Sequence, residues 1–171
     1  MNFFTMVTAG LLAGDVQAAG ENLATGRPCE LHPAPSYRHC TDPGDMRQLT
    51  DGKWTTAYFW TQPGTVGWTR APYATVTIDL GAPRLIGGAS LTTAAGRAGV
   101  TWPMAVPVLV SDDKQTWREA GDLVALDHAE RGPWPDQHTI RRIHTDRLKA
   151  RGALYTLRAH SGAGRSLHLH G

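Results

Sequence analysis

The sequence predicts an all-β domain, a sandwich or a barrel, on three observations. Apolar residues recur with period two, turn residues close each apolar run, and no stretch shows a convincing amphipathic helix. The 19 Gly and 11 Pro among 171 residues suit a chain that turns often. Hydrophobic residues at 41% and charged residues at 19% describe a folded chain with room for one sizeable core. A net charge of +2 is too mild to point to nucleic acid.

Taken in order, residues 1–18 read as a signal peptide. An apolar run over 3–13 is too short to span a bilayer, and Val16-Gln17-Ala18 offers the small-x-small pattern of a cleavage site. No Lys or Arg precedes the run, which departs from the usual pattern. The expectation is an exported product, secreted, periplasmic or on the cell surface, with residues 19–171 as a single domain. Cys29 and Cys40 close a Pro-rich loop, and an even count in an oxidising compartment favours a disulfide between them. The alternatives are two free buried thiols or, with His32 and His39, a zinc site.

Residues 41–45 (TDPGD) are turn chemistry, and an aromatic-rich segment follows with Trp54, Tyr58, Phe59, Trp60 and Trp68. Val76, Ile78 and Leu80 alternate with polar residues as a half-buried strand, which Gly81-Ala82-Pro83 stops; a second strand covers 85–93. Residues 94–103 form a loop of small residues carrying Arg97 and Trp102, and 106–110 is a third apolar strand closed by the turn Ser111-Asp112-Asp113-Lys114. Residues 123–126 are assigned a short strand, 129–137 a loop holding Trp134 between two prolines, and 139–144, 153–160 and 166–170 three further strands. A helical turn is allowed only within 148–154.

Four motifs occur in a telling order: Asn22-Leu23-Ala24, Leu49-Thr50-Asp51-Gly52, Thr77-Ile78-Asp79-Leu80-Gly81, and Val110-Ser111-Asp112-Asp113 followed by Trp117. The order resembles the discoidin, or coagulation factor 5/8 type C, domains of the galactose-binding-like superfamily, over about residues 21–171. The resemblance implies a jelly-roll β-sandwich of roughly eight strands with long ligand-binding loops at one end. It implies a non-catalytic module that binds a poly- or oligosaccharide, of the kind found attached to a catalytic domain in a larger protein. A cell-surface protein-interaction domain is the alternative, and a small polysaccharide-degrading enzyme a weaker one. The resemblance also implies a structural Ca²⁺ near the Asp-Gly motif, with Asp51 as the matching carboxylate and Asp45 close by. No Glu stands near the C-terminus, where the family usually supplies a further ligand.

Sugar recognition needs an aromatic face for the C–H side of a pyranose and planar polar groups for its hydroxyls. Arg97 and Trp102 on the 94–103 loop are the leading candidates. Trp60 and Tyr58, placed on one face by strand alternation, come next, then Trp134; His128 and Tyr37, on neighbouring loops, are weaker. Trp68 and Trp117 read as core. His168 and His170 have the spacing of a metal pair, but alternation with Leu167 and Leu169 reads as a plain amphipathic strand. Nucleophile-elbow, zinc-protease, phosphate-loop and dinucleotide motifs are missing, and only four Glu occur, so no enzyme is expected.

Overall fold

The structure is a computed structural model that describes residues 21–53, 55, 59–96, 99–134, 140–161 and 167–170. Its strands are β1 (Cys29–His32), β2 (Thr65–Trp68), β3 (Tyr73–Ile86), β4 (Ala89–Ala94), β5 (Pro107–Ser111), β6 (Arg118–Asp122), β7 (Ile140–Thr145), β8 (Ala150–His160) and β9 (Leu167–His170). Helix α1 is the single turn Asp45–Gln48, and α2 is Leu123–Arg131. The strands form an antiparallel five-stranded sheet, β1-β3-β8-β5-β6, and an antiparallel four-stranded sheet, β2-β9-β4-β7.

Alternation puts one face of each sheet into a shared core. Val76 and Ile78 of β3, Val108 and Val110 of β5, and Tyr155 and Leu157 of β8 meet Trp68, Leu91 and Ile143 of the other sheet, all nearly or fully buried. Trp68 is core as expected, and its Nε1 donates to the Pro33 carbonyl at 2.6 Å. The Ser111–Lys114 turn also forms as expected. Ser111 Oγ accepts from the Asp113 and Lys114 amides at 3.2 and 3.0 Å, and Asp113 Oδ1 from those of Gln115 and Thr116 at 2.8 and 2.7 Å.

Several expectations are corrected. Residues 81–83 do not stop β3. Asp79 pairs with Leu154 and Arg84 with Gly152, so residues 80–83 bulge out of the ladder, where a proline needs no partner for a missing N–H. Gly81 takes φ 79° there, and its N–H donates to Asp79 Oδ1 at 2.7 Å. Residues 148–154 hold no helical turn; β8 begins at Ala150. Residues 123–126 are the first turn of α2, not a strand. Asp122 caps the helix by accepting from the Val124 and Ala125 amides, and Gly132 at φ 78° ends it. Trp117 is not core. It stands half-buried on the outer face of the five-stranded sheet.

The cysteines are not paired either; both are free and buried. Cys29 turns from β1 into the main core beside Thr50, whereas Cys40 follows the 37–40 turn next to Asp42 and Asp45. Burial pushes each thiol up to about 12. Among the described residues, no helix is long and apolar enough to cross a membrane. The signal peptide expected over residues 1–18 lies outside the described residues.

Candidate functional site

Strand directions define a loop end. Ile86 pairs with Ala150 and Ala89 with Thr145 at one end of the sandwich. Tyr73 pairs with His160, Ala105 bridges His160, Pro107 faces Asp122 and Ala94 faces Ile140 at the other. The connection 69–72 and the described residues 95–96 and 99–106 therefore lie at this second end, with the start of α2 and the start of β7. Leu123 N–H donates to the Val106 carbonyl at 3.0 Å, tying the helix to the 95–106 connection.

Three of the expected site residues come together here from three separate segments. Trp102 on the 95–106 connection packs edge-on against Trp134, with ring centroids 5.4 Å apart. Trp134 in turn packs edge-on against His128 of α2 at 4.4 Å. Trp134 is braced from behind by the main core, and its Nε1 donates to Asp127 Oδ2 at 2.8 Å. His128 Nε2 is buried without a partner. Met104, 70% exposed, adds an apolar lip on the same connection as Trp102.

Asp127 is the anchor of this arrangement, and sequence reasoning missed it. Its carboxylate is fully buried and accepts from Arg131 Nη1 at 3.0 Å, from Trp134 Nε1, and from the His144 amide at 3.3 Å. Arg141 stands 3.8 Å away. Arg131 also pairs with Glu130 at 3.1 Å and meets His144 Nε2 at 2.6 Å. His144 is held below its ordinary pKa, by burial first and then by the Arg131 and Arg142 charges. Asp127, tied to Arg131, holds the Trp134 indole in place, and Glu130 secures Arg131 in turn.

The remaining candidates divide. Trp60 does not sit on a strand, because residues 59–61 form a 3-10 turn and the alternation argument fails there. Trp60 is half-buried against Phe59, centroids 4.9 Å apart, in a second small cluster with Ala94 and Val100 that backs the loop end. Tyr37 packs against the same cluster. Tyr58 and Arg97 lie outside the described residues. On either side of 97–98, Gly96 and Gly99 take φ 90° and 74°, and Gly96 N–H donates to the Val100 carbonyl at 2.9 Å. β9 pairs His168 with Gly67 and His170 with Thr65.

The two carboxylates expected near a calcium ion differ sharply. Asp45 is buried in α1, accepts from the Asp42 amide at 3.2 Å, and is pushed up to about 6 by burial. Asp51 is exposed; one oxygen accepts from the Lys53 amide at 2.8 Å and the other lies 3.9 Å from the Lys53 ammonium. Among the described residues, no three His, Cys, Asp or Glu side chains converge as a metal site. Of the two expected ligands, Asp51 is the one exposed to solvent.

No protein-family model matches the sequence, and no curated protein sequence matches it. Solved structures do resemble it. A fucose binding module from Streptococcus pneumoniae superposes with a TM-score of 0.55 at 12% identity, covering 90% of this chain and 94% of that one. The lectin domain of lectinolysin, solved with Lewis B antigen, gives 0.56 at 13% identity over 88% and 93% of the chains. Chitosan-binding module 1 of a chitosanase/glucanase from Paenibacillus sp. IK-5 gives 0.54 at 12% identity over 86% and 93%. The chain therefore shares the β-sandwich fold of these modules, as the motif order implied.

Proposed function

We propose that the chain is an exported, non-catalytic carbohydrate-binding module that takes a poly- or oligosaccharide at its loop end. The observation that carries this reading is the assembly of Trp102, Trp134 and His128, three aromatic rings from three segments, the central one held by a buried carboxylate. A preordered indole offers a sugar ring an apolar surface at little entropic cost. The fold is shared with modules described as binding fucose and chitosan and with a lectin domain solved with Lewis B antigen. Arg97, on the same connection as Trp102, would supply N–H donors to sugar hydroxyls.

Affinity electrophoresis through gels containing neutral polysaccharides and a fucosylated glycan, with a pull-down on insoluble chitosan alongside, tests the reading. Trp102→Ala should weaken retention by about 1–3 kcal/mol, the range for one aromatic stacking contact. A folded wild-type protein that is retained by none of these glycans removes the reading. A protein partner is the second reading, favoured by the exposure of Met104 beside Trp102.

Export would expose Cys29 and Cys40 to oxidation, but the thiolate is the reactive form, and burial holds both thiols protonated. Calcium enters the reading at Asp51 with backbone carbonyls; the 85% exposed Lys53 ammonium can move aside for it. Added Ca²⁺ should then raise Tm and EDTA reverse the rise. An unchanged Tm takes calcium out of the reading.

A further inference from the structure

A second surface suited to a ligand lies on the outer face of the five-stranded sheet. Side chains that alternation excludes from the core line up there in cross-strand rows. His32, Thr75 and Arg158 are register partners across β1, β3 and β8, and Thr77, Thr156 and Leu109 across β3, β8 and β5. With Trp117 as its wall, this face forms a cleft of about 230 Å³.

Each component has a definite state. Trp117 is half-buried, and its Nε1 is tied to the Lys114 carbonyl at 3.2 Å. Thr77 and Thr156 share one hydroxyl hydrogen bond at 2.8 Å, which leaves one hydroxyl proton for a ligand. Arg158 is exposed, with its guanidinium 5.6 Å from the Tyr73 ring centroid and its Nε donating to Thr75 Oγ1 at 3.4 Å. His32 and His160 flank the same Tyr73 ring at 6.2 and 6.3 Å. The Glu30 carboxylate on this face is already neutralised by Lys114 at 2.6 Å. Among the described residues, no carboxylate stands within ion-pair distance of Arg158.

We infer that this cleft is a second carbohydrate site, distinct from the loop end, and that its ligand is an acidic glycan built from uronic acid residues. The guanidinium, with no carboxylate partner among the described residues and oriented by Tyr73 and Thr75, binds a carboxylate with paired N–H donors, and the His32 ring adds a hydrogen-bonding group beside it. The threonine hydroxyls meet sugar hydroxyls, and Trp117 with Leu109 covers the apolar face of a ring. Trp117, just before β6, lies by register level with Leu154, so Arg158 is two strand spacings across and four residues along from it, about 16 Å away. That span calls for more than one sugar ring, so the ligand is a chain lying obliquely over the strands.

The test is affinity electrophoresis through polygalacturonate and through alginate, with a neutral-glycan gel run alongside on the same variants. Wild type should be retarded by at least one acidic gel, and retardation should fall as salt rises. Arg158→Gln should weaken that retention at least tenfold, and Trp117→Ala should weaken it several-fold, with Trp117→Phe recovering part. Arg158 is exposed, so its variant should unfold at the wild-type urea midpoint. Trp102→Ala should leave the acidic-gel retention unchanged, whatever it does on the neutral gel. Free migration of folded wild type through both acidic gels overturns the inference. So does acidic-gel retention that Trp102→Ala abolishes and Arg158→Gln spares.

Discussion

Replacing Asp127 by Ala removes the one group on which the loop-end aromatic pair rests. The carboxylate is fully buried and holds Arg131, the Trp134 indole and the His144 amide at once. The Trp134 bond to a buried charge contributes about 1.5–3 kcal/mol. The Arg131 pair, 31% exposed on the arginine side, is partly screened and adds about 0.5–1 kcal/mol. The His144 amide, left without this acceptor, costs about 1 kcal/mol. The sum, about 3–5 kcal/mol, is what breaking a buried ion pair usually costs. With a urea m-value of about 2 kcal/mol/M, the unfolding midpoint should fall by roughly 1.5–2.5 M. Trp134→Phe keeps the ring and loses only the N–H, so the two changes should couple in a double-mutant cycle by about 0.5–3 kcal/mol. Glycan retention should weaken as well, since Trp102 loses the support of an oriented Trp134. A loss of stability below about 1 kcal/mol, or strict additivity with Trp134→Phe, would refute the anchoring role.

Three further predictions follow from single groups. Asp45 carries a pKa raised from 3.8 to about 6, so the native state binds its proton more tightly than the unfolded chain does. Stability should therefore decline as pH rises from about 4 to about 6, by roughly 3 kcal/mol, and stay level above that. Asp45→Asn keeps an acceptor for the Asp42 amide and should flatten this decline in urea titrations run across that range; an unchanged pH profile counts against it. Thiol titration of the unreduced protein in denaturant should find two free thiols per chain, and almost no reaction in the native state. Finding none in denaturant would show a disulfide. Asp122 Oδ1 accepts from Val124, Ala125 and Val106 amides at 2.8, 3.2 and 3.2 Å. Asp122→Ala should cost about 2 kcal/mol, the upper end for an N-cap, whereas Asp122→Asn should cost little.

Period-two alternation is a local property of the chain, and it was legible wherever one strand face met the core. Val76, Ile78 and Leu80 show it, as do Tyr155, Leu157 and Ala159. Helix α2 escaped because residues 123–126 are a short apolar run, which fits a buried strand or a helical turn equally well. Its capping signals were present all the same: Asp122 before the run and Gly132 after Arg131. The strand over residues 73–86 was cut short because a proline argues against a ladder, and only the partner register shows that Pro83 sits in a bulge.

The sequence by itself determined the sheet architecture, the buried role of Trp68, the Ser111–Lys114 turn and the residue types a glycan site needs. It named Trp102, Trp134 and His128 one at a time, from composition and loop position. Only the tertiary structure decided that these three meet, since their contact depends on α2 and on strands returning to one end of the sandwich. It also decided what stays apart. Cys29 faces the core while Cys40 lies in a separate turn, and Trp117 faces outward beside Arg158. Alternation states which residues share a face, but which face is buried depends on the second sheet that covers it.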